Sequence, residues 1–395
     1  MSTPVPHSSR ATSLVLLTVF VDVIGLAMIL PILPGTATRL GASPALIGVL
    51  VAAYSAAQLV LAPAWGRLSD RIGRRPVLLL GLAGSVVSYV VFALAGSWPW
   101  LLLSRVIDGG SGATTNVAQA WLADGTVPAR RTRAMGQVGA AVGAGFIVGP
   151  ILGGLSSTGG SALPGWIAAA ITFLNLLVAA IALPAAPPRR EPPRRPAATP
   201  PPMSLALPLL ILFLSTLAFS VMYVVFPLWG ELILGADRST VGYWFAFIGL
   251  ITAGVQGGLL GRLVARLGEA RTARSGALLL MLGLGILPFS TAGSPWQFYL
   301  VLVVIGAGYG LAGPPLLGLI SRHSDGSRQG RVLGVAQSAN SLARIVGPVV
   351  AGLAMTWIGA RHAFLSAAGL ALVAAILTLG SASVLRTASP ASAER

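Results

Sequence analysis

The feature that most constrains this chain is its series of long apolar runs, each separated from the next by a short polar segment. Each run is close to the ~20 residues that an α-helix needs to cross the hydrocarbon core of a bilayer. Over the whole chain 55% of the residues are hydrophobic and only 9% are charged, whereas a soluble domain carries about 25% charge. The pattern predicts an all-α integral membrane protein with twelve transmembrane helices. Their approximate bounds are 12–34, 44–65, 76–96, 98–123, 134–154, 165–184, 205–229, 239–261, 272–291, 297–320, 331–356 and 363–385.

The arginines predict how these helices are oriented. The chain has 26 basic residues, and all of them are Arg. With the N-terminus inside, 21 arginines fall in cytoplasmic segments and only Arg39, Arg238 and Arg361 fall in outer loops. Basic residues accumulate in cytoplasmic loops, so this division favours a cytoplasmic N-terminus. An even number of spans then places the C-terminus in the cytoplasm as well. The first apolar run has full span length, so we expect no cleavable signal peptide.

Composition argues against several function classes. A phosphate-binding Walker A loop needs a lysine, and this chain has none, so it does not drive transport with ATP by itself. There is no cysteine for a disulfide or a thiolate site. The three histidines, His7, His323 and His362, fall in predicted loops or tails. The net charge of +16 lies in loops that flank the membrane, not on a nucleic-acid-binding face. We therefore expect no enzyme, no metal, no cofactor and no nucleic-acid partner.

The two parts of the chain repeat each other. GRLSDRIG at Gly66 is echoed 195 residues later by GRLVARLG, IVGPILGG at Ile147 is echoed 198 residues later by IVGPVVAG, and the proline of ILPILP at Pro31 is echoed 196 residues later by that of VFPLW. Between them lies a segment rich in Pro and Arg, which favours an extended linker. We therefore predict an N-terminal six-helix half at 1–184, a cytoplasmic linker at 185–203 and a C-terminal six-helix half at 204–395. Parallel repeats of this kind are one known transporter architecture.

The most informative single segment is the predicted cytoplasmic loop GRLSDRIGRRPVLLLG, residues 66–81. Five of its sixteen residues are charged. Its simplest interpretation is a basic anchor that orients the neighbouring helices. However, Gly66 and Gly73 permit a close turn, and Asp70 stands among arginines that it can pair with. These placements favour a specific cytoplasmic gate over a plain anchor.

The motifs resemble those of the major facilitator superfamily, and within it the bacterial twelve-helix drug:H+ antiporters near the tetracycline exporters. The loop pattern of that family, G-x-L-[SA]-D-R-x-G-R-[RK]-x-x-x-L, is met in full from Gly66 to Leu79. Predicted helix one carries FVDVIGLAMILPILP, helix four carries LSRVIDGGSGATTNVAQAWLAD and helix five carries GAAVGAGFIVGPILGG, each similar to a family motif. The resemblance covers almost the whole chain. It implies a proton-driven exporter of small molecules that works by alternating access, functions as a monomer and lies in the bacterial inner membrane.

Three ionisable residues in the predicted spans are candidates for proton coupling. A charge inside the membrane is costly, so each is a functional hypothesis by default. Asp22 in helix one is either an acid that packs against an arginine or a proton carrier, and its expected partner is Arg105. Arg105 is either a hub for backbone carbonyls or, as the resemblance implies, part of the coupling machinery. Asp108 lies one turn further along the same helix face, where it either neutralises Arg105 or titrates as a second group.

Polar and aromatic residues in the spans are candidates for the substrate cavity, although each also fits helix packing or an interfacial position. The candidates are Tyr54, Gln58, Ser88, Tyr89, Asn116, Gln119, Tyr223 and Gln256. Tyr309 belongs to the same aromatic set. Two charged residues are minor candidates: Glu231 at the outer mouth of helix seven and Arg344 as a packing residue of helix eleven.

The resemblance also implies a cytoplasmic gate and a motif in helix five. The gate residues are Gly66, Asp70, Arg71, Gly73, Arg74, Arg75 and Asp124. The helix-five residues are Gly145, Gly149, Pro150 and Gly153. Small residues four apart let helices approach closely, and proline permits a bend. We expect this face to pack between the two halves and to seal the leak path.

Some positions depart from the tetracycline exporters. Their helix-three acid corresponds to Ser88, their helix-nine acid has no counterpart, and their helix-eight histidine corresponds to Thr252, whereas Gln256 matches. A metal-chelated tetracycline would need some of these groups. The predicted function is therefore proton-coupled efflux of drugs or other small amphipathic compounds, with tetracycline-like substrates left open. The alternative is an exporter or importer of a sugar or other metabolite with the same fold.

Overall fold

The computed structural model describes residues 9–112, 114–126, 128–184, 205–291, 295–322 and 329–386. All regular elements in these ranges are helical, which confirms the predicted all-α class. The α-helices are α1 (Ser9–Ile29), α2 (Leu33–Arg39), α3 (Pro44–Ile72), α4 (Arg74–Ala93), α5 (Trp98–Ser111), α6 (Thr114–Asp124), α7 (Pro128–Ser157), α8 (Leu163–Ala182), α9 (Ala206–Phe219), α10 (Val225–Ile233), α11 (Arg238–Gly254), α12 (Leu260–Leu267), α13 (Glu269–Ile286), α14 (Pro295–Arg322) and α15 (Gln329–Arg386).

Ten helical stretches of the described chain are long and apolar enough to cross a membrane. Several of them contain an irregular turn. A 3₁₀ turn at Ser220–Tyr223 joins α9 to α10, and a π-helical turn at Val255–Leu259 joins α11 to α12. In α15 the backbone turns at Gly359, where φ is 81°. A positive φ is readily adopted only by glycine, so α15 consists of two helical segments that meet at this residue.

The described chain forms two compact units. Unit 1 comprises the described residues within 1–43, 53–195 and 235–246, and unit 2 comprises those within 44–52, 196–234 and 247–395. Each unit thus includes a short segment from the other predicted half: the first turns of α11 join unit 1, and the first turns of α3 join unit 2. The division into halves at 1–184 and 204–395 stays a prediction, and its linker at 185–203 lies outside the described residues.

Small residues explain why these short segments join their units. In unit 1 the Pro150 carbonyl lies 2.5 Å from where a Cβ of Gly242 would stand, so only glycine allows α7 and α11 to come this close. In unit 2 the Pro348 carbonyl lies similarly close to where a Cβ of Gly48 would stand. Pro150 and Pro348 occupy matching positions of the sequence repeat. The repeat seen in the sequence therefore recurs as matching backbone contacts.

The helix-five glycines have a different partner from the expected one. Cβ atoms added to Gly145, Gly149 and Gly153 would meet Val23, Ala27 and Met28 of α1, respectively. These three glycines therefore pack α7 against α1 within unit 1, not against a helix of the other half. The contact with α11 is made instead by Pro150 and by Gly154, whose carbonyl accepts a 2.9 Å hydrogen bond from the Ser239 hydroxyl. The four-residue spacing predicted close packing correctly, but it did not show which helix lies opposite.

Candidate functional site

The centre of unit 1 holds a buried ion pair. Arg105 and Asp108 lie on α5, and the guanidinium Nη1 stands 3.2 Å from the carboxylate Oδ2. The side chain of Arg105 is 1% exposed and that of Asp108 is 3% exposed. Arg105 also donates to the Ser104 hydroxyl at 3.3 Å and lies 5.8 Å from the centre of the Phe92 ring. A charge this deep is stable only when it is paired, so each member of the pair depends on the other.

A serine of α4 connects this pair to Asp22 of α1. The Ser85 hydroxyl donates to the Asp22 carboxylate at 3.4 Å, and it is also a hydrogen-bonding neighbour of Asp108. The Tyr89 hydroxyl is a further neighbour of Asp108. Asp22 itself is partly exposed. The result is a short row of polar groups that runs from Asp22, a partly exposed residue, to a buried ion pair.

The partner expected for Asp22 was wrong. The structure pairs Arg105 with Asp108, which lies one helical turn away on α5, and links Asp22 to Ser85 instead. Two residues on one helix can meet without any help from the rest of the fold, whereas Asp22 must reach the arginine from α1. Sequence reasoning also missed Ser85, because one serine in an apolar helix usually bonds only to its own helix backbone.

The predicted cavity residues of unit 1 fall into two groups. Tyr54 and Gln58 face α5: the Gln58 amide donates to the Gly112 carbonyl at 2.9 Å, and the Tyr54 hydroxyl lies 3.4 Å from the same nitrogen. Both side chains are partly exposed. Ser88, in contrast, is completely buried and donates to the Ser104 carbonyl at 2.8 Å. Tyr89 is 1% exposed and its ring lies against Gly25, so Ser88 and Tyr89 hold helices together rather than line an open surface.

The other predicted cavity residues are more scattered. Asn116 of α6 is exposed and Gln119 is partly exposed. In unit 2, Tyr223 lies in the 3₁₀ turn that follows α9. Gln256 is exposed within the π-helical turn that follows α11. Irregular backbone at membrane depth is tolerated where it is buried in protein or lines a cavity, which makes both turns of interest.

The predicted gate residues of the first loop form a charge cluster in unit 1. Arg74 binds the Asp70 carboxylate at 2.8 Å and the Asp124 carboxylate at 3.1 Å, and it donates to the Ser69 hydroxyl at 2.5 Å. Gly73 has a φ of 97°, which lets the chain turn directly from α3 into α4. Arg75 of the same loop donates to the Ala180 carbonyl of α8.

The second copy of this loop, at Gly261, keeps the turn but loses the cluster. Gly268 has a φ of 80° and separates α12 from α13, as Gly73 separates α3 from α4. The counterpart of Asp70 is Ala265, and the counterpart of Arg74 is Glu269. The turn is therefore a property of both halves, whereas the arginine held by two carboxylates belongs to the first half.

Nothing in the described part of the chain suggests a metal centre. Its His, Asp and Glu side chains form no group of three that could hold a metal ion.

Comparison with known proteins agrees with this architecture. The family model described as Major Facilitator Superfamily matches residues 15–348 and 209–395. The class D tetracycline resistance protein of Salmonella ordonez is 33% identical over 354 residues, which cover 87% of this chain and 89% of the relative. The crystal structure of the human organic anion transporter MFSD10 (TETRAN) is 25% identical, covers 93% of this chain and 99% of its own, and has a TM-score of 0.71. A bacterial homologue of the human lysosomal transporter Spinster, 16% identical with 99% and 100% of the two chains covered, has a TM-score of 0.81.

The helical spans, together with the family match and the transporter relatives, define a membrane transporter, not an enzyme. The chain belongs to the Major Facilitator Superfamily, in the branch of drug exporters that resemble the tetracycline resistance proteins. It is a multi-pass protein of the bacterial inner membrane.

Proposed function

We propose that this protein exports drugs or other small amphipathic compounds in exchange for protons, by alternating access. The observation that carries the proposal is the row formed by Asp22, Ser85, Asp108 and Arg105 in unit 1. The row combines two carboxylates inside membrane-spanning helices with one arginine. Binding or release of one proton by a carboxylate therefore changes the net charge of the row. Such intramembrane acids commonly mark proton pathways.

We further propose twelve spans with both termini in the cytoplasm. The apolar stretch Val332–Leu379 contains 48 residues. As one straight helix it would be about 72 Å long at 1.5 Å per residue, more than twice the ~30 Å of the hydrocarbon core. We assign it two spans that meet at Gly359. Helices α5 and α6 together supply a further span, which brings the ten candidates to twelve.

In the proposed mechanism, Asp22 takes up and releases the transported proton. Ser85, which donates to the Asp22 carboxylate at 3.4 Å, relays the charge state of Asp22 to Asp108. When Asp22 gains a proton, the Ser85 hydroxyl no longer binds a charged oxygen there and is free to turn towards Asp108. This changes the electrostatic balance around Arg105. Proton binding biases the two conformations only if their affinities for the proton differ.

The substrate class follows from likeness alone. The tetracycline resistance relative suggests tetracycline-like or other amphipathic drugs, and no resident cofactor is needed because the proton gradient supplies the energy. Within unit 1, we propose that Asn116, Gln119 and the pair Tyr54 and Gln58 contact such compounds. Within unit 2, we propose the same role for Gln256. The protein is proposed to act as a monomer.

For the cytoplasmic loop we propose a gating role. Arg74 holds two acids from different parts of unit 1, Asp70 next to it in the chain and Asp124 at the end of α6. Breaking and forming such a cluster changes the free energy of one conformation relative to the other. Gly66, Arg71, Gly73 and Arg75 shape and flank this cluster.

The test is drug transport into everted membrane vesicles that are energised to be acidic inside. The native protein should accumulate tetracycline, and a protonophore should abolish the accumulation. Asp22→Asn should reduce transport to the level of vesicles without the protein, because the carboxylate can no longer exchange a proton. Asp22→Glu is the matched control, since it keeps a titratable acid, and it should retain part of the activity.

Two results would contradict the proposal. The first is transport by Asp22→Asn at the native rate. The second is native transport that does not change when the protonophore is added, which would favour the alternative of a metabolite transporter with the same fold. Equal amounts of folded protein in the membrane must be shown for each variant.

A further inference from the structure

Unit 2 contains an arginine in its interior that has no acidic partner. Arg344 of α15 makes one long hydrogen bond within the described residues, of 3.5 Å from Nη2 to the Ser341 hydroxyl. Its buried Nε has no hydrogen-bond partner, and no described carboxylate lies within ion-pair distance of its guanidinium. An arginine at the centre of a span costs about 2.5–3.5 kcal/mol, so an unpaired one calls for an explanation.

The position of Arg344 in its helix makes the cost greater than it would be at an end. It lies midway between Gln329, where α15 begins, and the turn at Gly359. At 1.5 Å per residue it is about 22 Å from each end of this segment, too far for its side chain to reach the membrane surface. Substrate sites of secondary transporters lie near this depth, at the middle of the bilayer.

The side chains around Arg344 are the kind that bind an aromatic ring with a negative charge. Tyr223 and Tyr309 are its electrostatic neighbours, and both are partly exposed. Tyr309 lies near the middle of α14 and stacks on Phe219, with ring centres 3.8 Å apart and an angle of 16° between the ring planes. Phe219 also meets the edge of Tyr223 at 5.6 Å. Two tyrosine hydroxyls and an aromatic ring therefore lie in the electrostatic neighbourhood of this cation.

The backbone beside this cluster is irregular, which is an independent sign of a ligand site. Tyr223 ends a 3₁₀ turn, Ser220–Tyr223, that interrupts the otherwise helical stretch from α9 to α10. The turn packs tightly on α15, because a Cβ on Gly347 would strike Ser220. Transporters commonly build substrate sites from helices that are interrupted near the middle of the membrane.

We propose that Arg344, Tyr223 and Tyr309 form a subsite in unit 2 that binds the anionic group of an aromatic substrate, while the partly exposed ring of Tyr309, which stacks on the buried Phe219, contacts its flat part. The inference rests on the proposed export function and narrows its substrate class to aromatic anions, such as carboxylates or ionised phenols. The ligand supplies the negative charge that the described residues of unit 2 do not supply to Arg344. A planar guanidinium suits a carboxylate because it can donate two parallel hydrogen bonds.

The test is equilibrium binding of two matched probes to the full-length protein in nanodiscs. 2-Naphthoate and 2-naphthamide have the same ring system and nearly the same shape, but only the first is negatively charged at pH 7.5. The native protein should bind 2-naphthoate at least tenfold more tightly. Arg344→Gln should lower the affinity for 2-naphthoate by about tenfold to a hundredfold and leave that for 2-naphthamide within about twofold. Tyr309→Phe should lower it by about threefold to tenfold.

The matched control is Arg361→Gln. Arg361 also lies in unit 2 beside an aromatic ring, 4.3 Å from the centre of Phe289, but it is exposed and in a predicted outer loop. Its removal should leave both affinities unchanged. Arg344→Lys guards against misfolding: it keeps the charge at the site but not the two-pronged geometry, and it should restore part of the preference for the anion.

Each outcome decides the proposal. It is overturned if the native protein binds both probes equally, or if Arg344→Gln weakens both probes to the same extent, since that indicates a structural arginine. If Arg344→Gln loses the preference for the anion, and the native protein exports tetracycline, which carries an ionisable phenol, in a proton-dependent manner, both proposals stand. If the native protein shows the preference but no proton-dependent export of any drug, the subsite stands and the proposed export function fails.

Discussion

Arg105 in unit 1 and Arg344 in unit 2 are both arginines in the interior of a membrane-spanning helix, but their surroundings differ. Arg105 is 1% exposed and has a carboxylate of its own helix at 3.2 Å. Arg344 is partly exposed, and it interacts with the neutral hydroxyls of Ser341, Tyr223 and Tyr309. A charge balanced inside the protein does not need a ligand, whereas an unbalanced one gains from binding an anion.

The same contrast appears at the two copies of the glycine-rich loop. In the first copy, Arg74 is held by Asp70 and Asp124. In the second copy, alanine stands at 265, where the acid would be. The two loops are copies of one repeat pattern, whereas Arg105 and Arg344 lie at different positions of the repeat, and the ion pairs of Arg74 and Arg105 are in the first half. We infer that the first half handles protons and gating and that the second half is free to bind substrate charge.

The largest effect should come from breaking the buried pair of unit 1. Arg105→Gln leaves Asp108 without its partner in a site that is 3% exposed. An uncompensated buried charge costs about 3–5 kcal/mol, so we expect a marked loss of thermal stability and no transport above background. Thermal unfolding of the purified protein, followed by tryptophan fluorescence, measures the first effect, and vesicle transport measures the second.

A double variant separates the two effects. Arg105→Gln combined with Asp108→Asn removes both charges, so most of the lost stability should return because no unpaired charge remains. Transport should remain absent, because the charge-balanced row beside Asp22 no longer exists. Full recovery of proton-coupled transport in the double variant would show that the pair is only structural. The different surroundings of Arg105 and Arg344 would then not correspond to different functions.

A smaller effect is expected at the cytoplasmic loop. Asp70→Ala removes one of the two carboxylates on Arg74, which lies 2.8 Å away, but leaves Asp124 in place. We expect the maximal transport rate to fall about tenfold while the drug affinity stays within about twofold, because only the balance between conformations changes. Arg67→Gln, an exposed arginine of the same loop, is the control and should have little effect. Weakened drug binding with a normal maximal rate would contradict the gating role.

Much of the fold could be predicted from the sequence, because the relevant signals are local or periodic. The apolar runs gave the helices, and the i,i+3 spacing placed Asp108 next to Arg105. The residues that depend on tertiary contacts could not be predicted in this way. Gly145, Gly149 and Gly153 showed that α7 packs closely, but whether they meet α1 or another helix depends on how the whole unit is assembled. Ser85 matters only because α4 brings it to Asp22.

Arg344 is a second residue whose role could not be predicted from the sequence. From the sequence alone, Arg344 is predicted to be a packing residue of helix eleven, because the residues near it in the chain do not indicate any other role. Its importance depends on which groups surround it: two tyrosines from α14 and from the 3₁₀ turn, and no described acid. The lack of a partner is a property of the folded structure, and no local pattern encodes it.

The smallest effect is predicted for a substitution that gives Arg344 an acidic partner on its own helix, as Arg105 has. Asn340 lies one turn before Arg344 on α15, and its amide oxygen accepts a 2.7 Å hydrogen bond from the Thr216 hydroxyl. Asn340→Asp keeps the shape and that acceptor but adds a carboxylate at i,i+4 from the arginine. Because this internal acid competes with an anionic ligand, the affinity for 2-naphthoate should fall about threefold, while that for 2-naphthamide should not change.

Gln297→Glu, at an exposed position near the start of α14, introduces the same charge change and should leave both affinities unchanged. If Asn340→Asp has no effect on 2-naphthoate, Arg344 does not choose between an internal acid and a bound anion. Arg105 of unit 1 and Arg344 of unit 2 would then differ only in their packing and not in their ability to bind an anion. If Asn340→Asp selectively weakens the anion, one carboxylate is enough to convert the ligand-binding arrangement of unit 2 towards the self-balanced arrangement of unit 1.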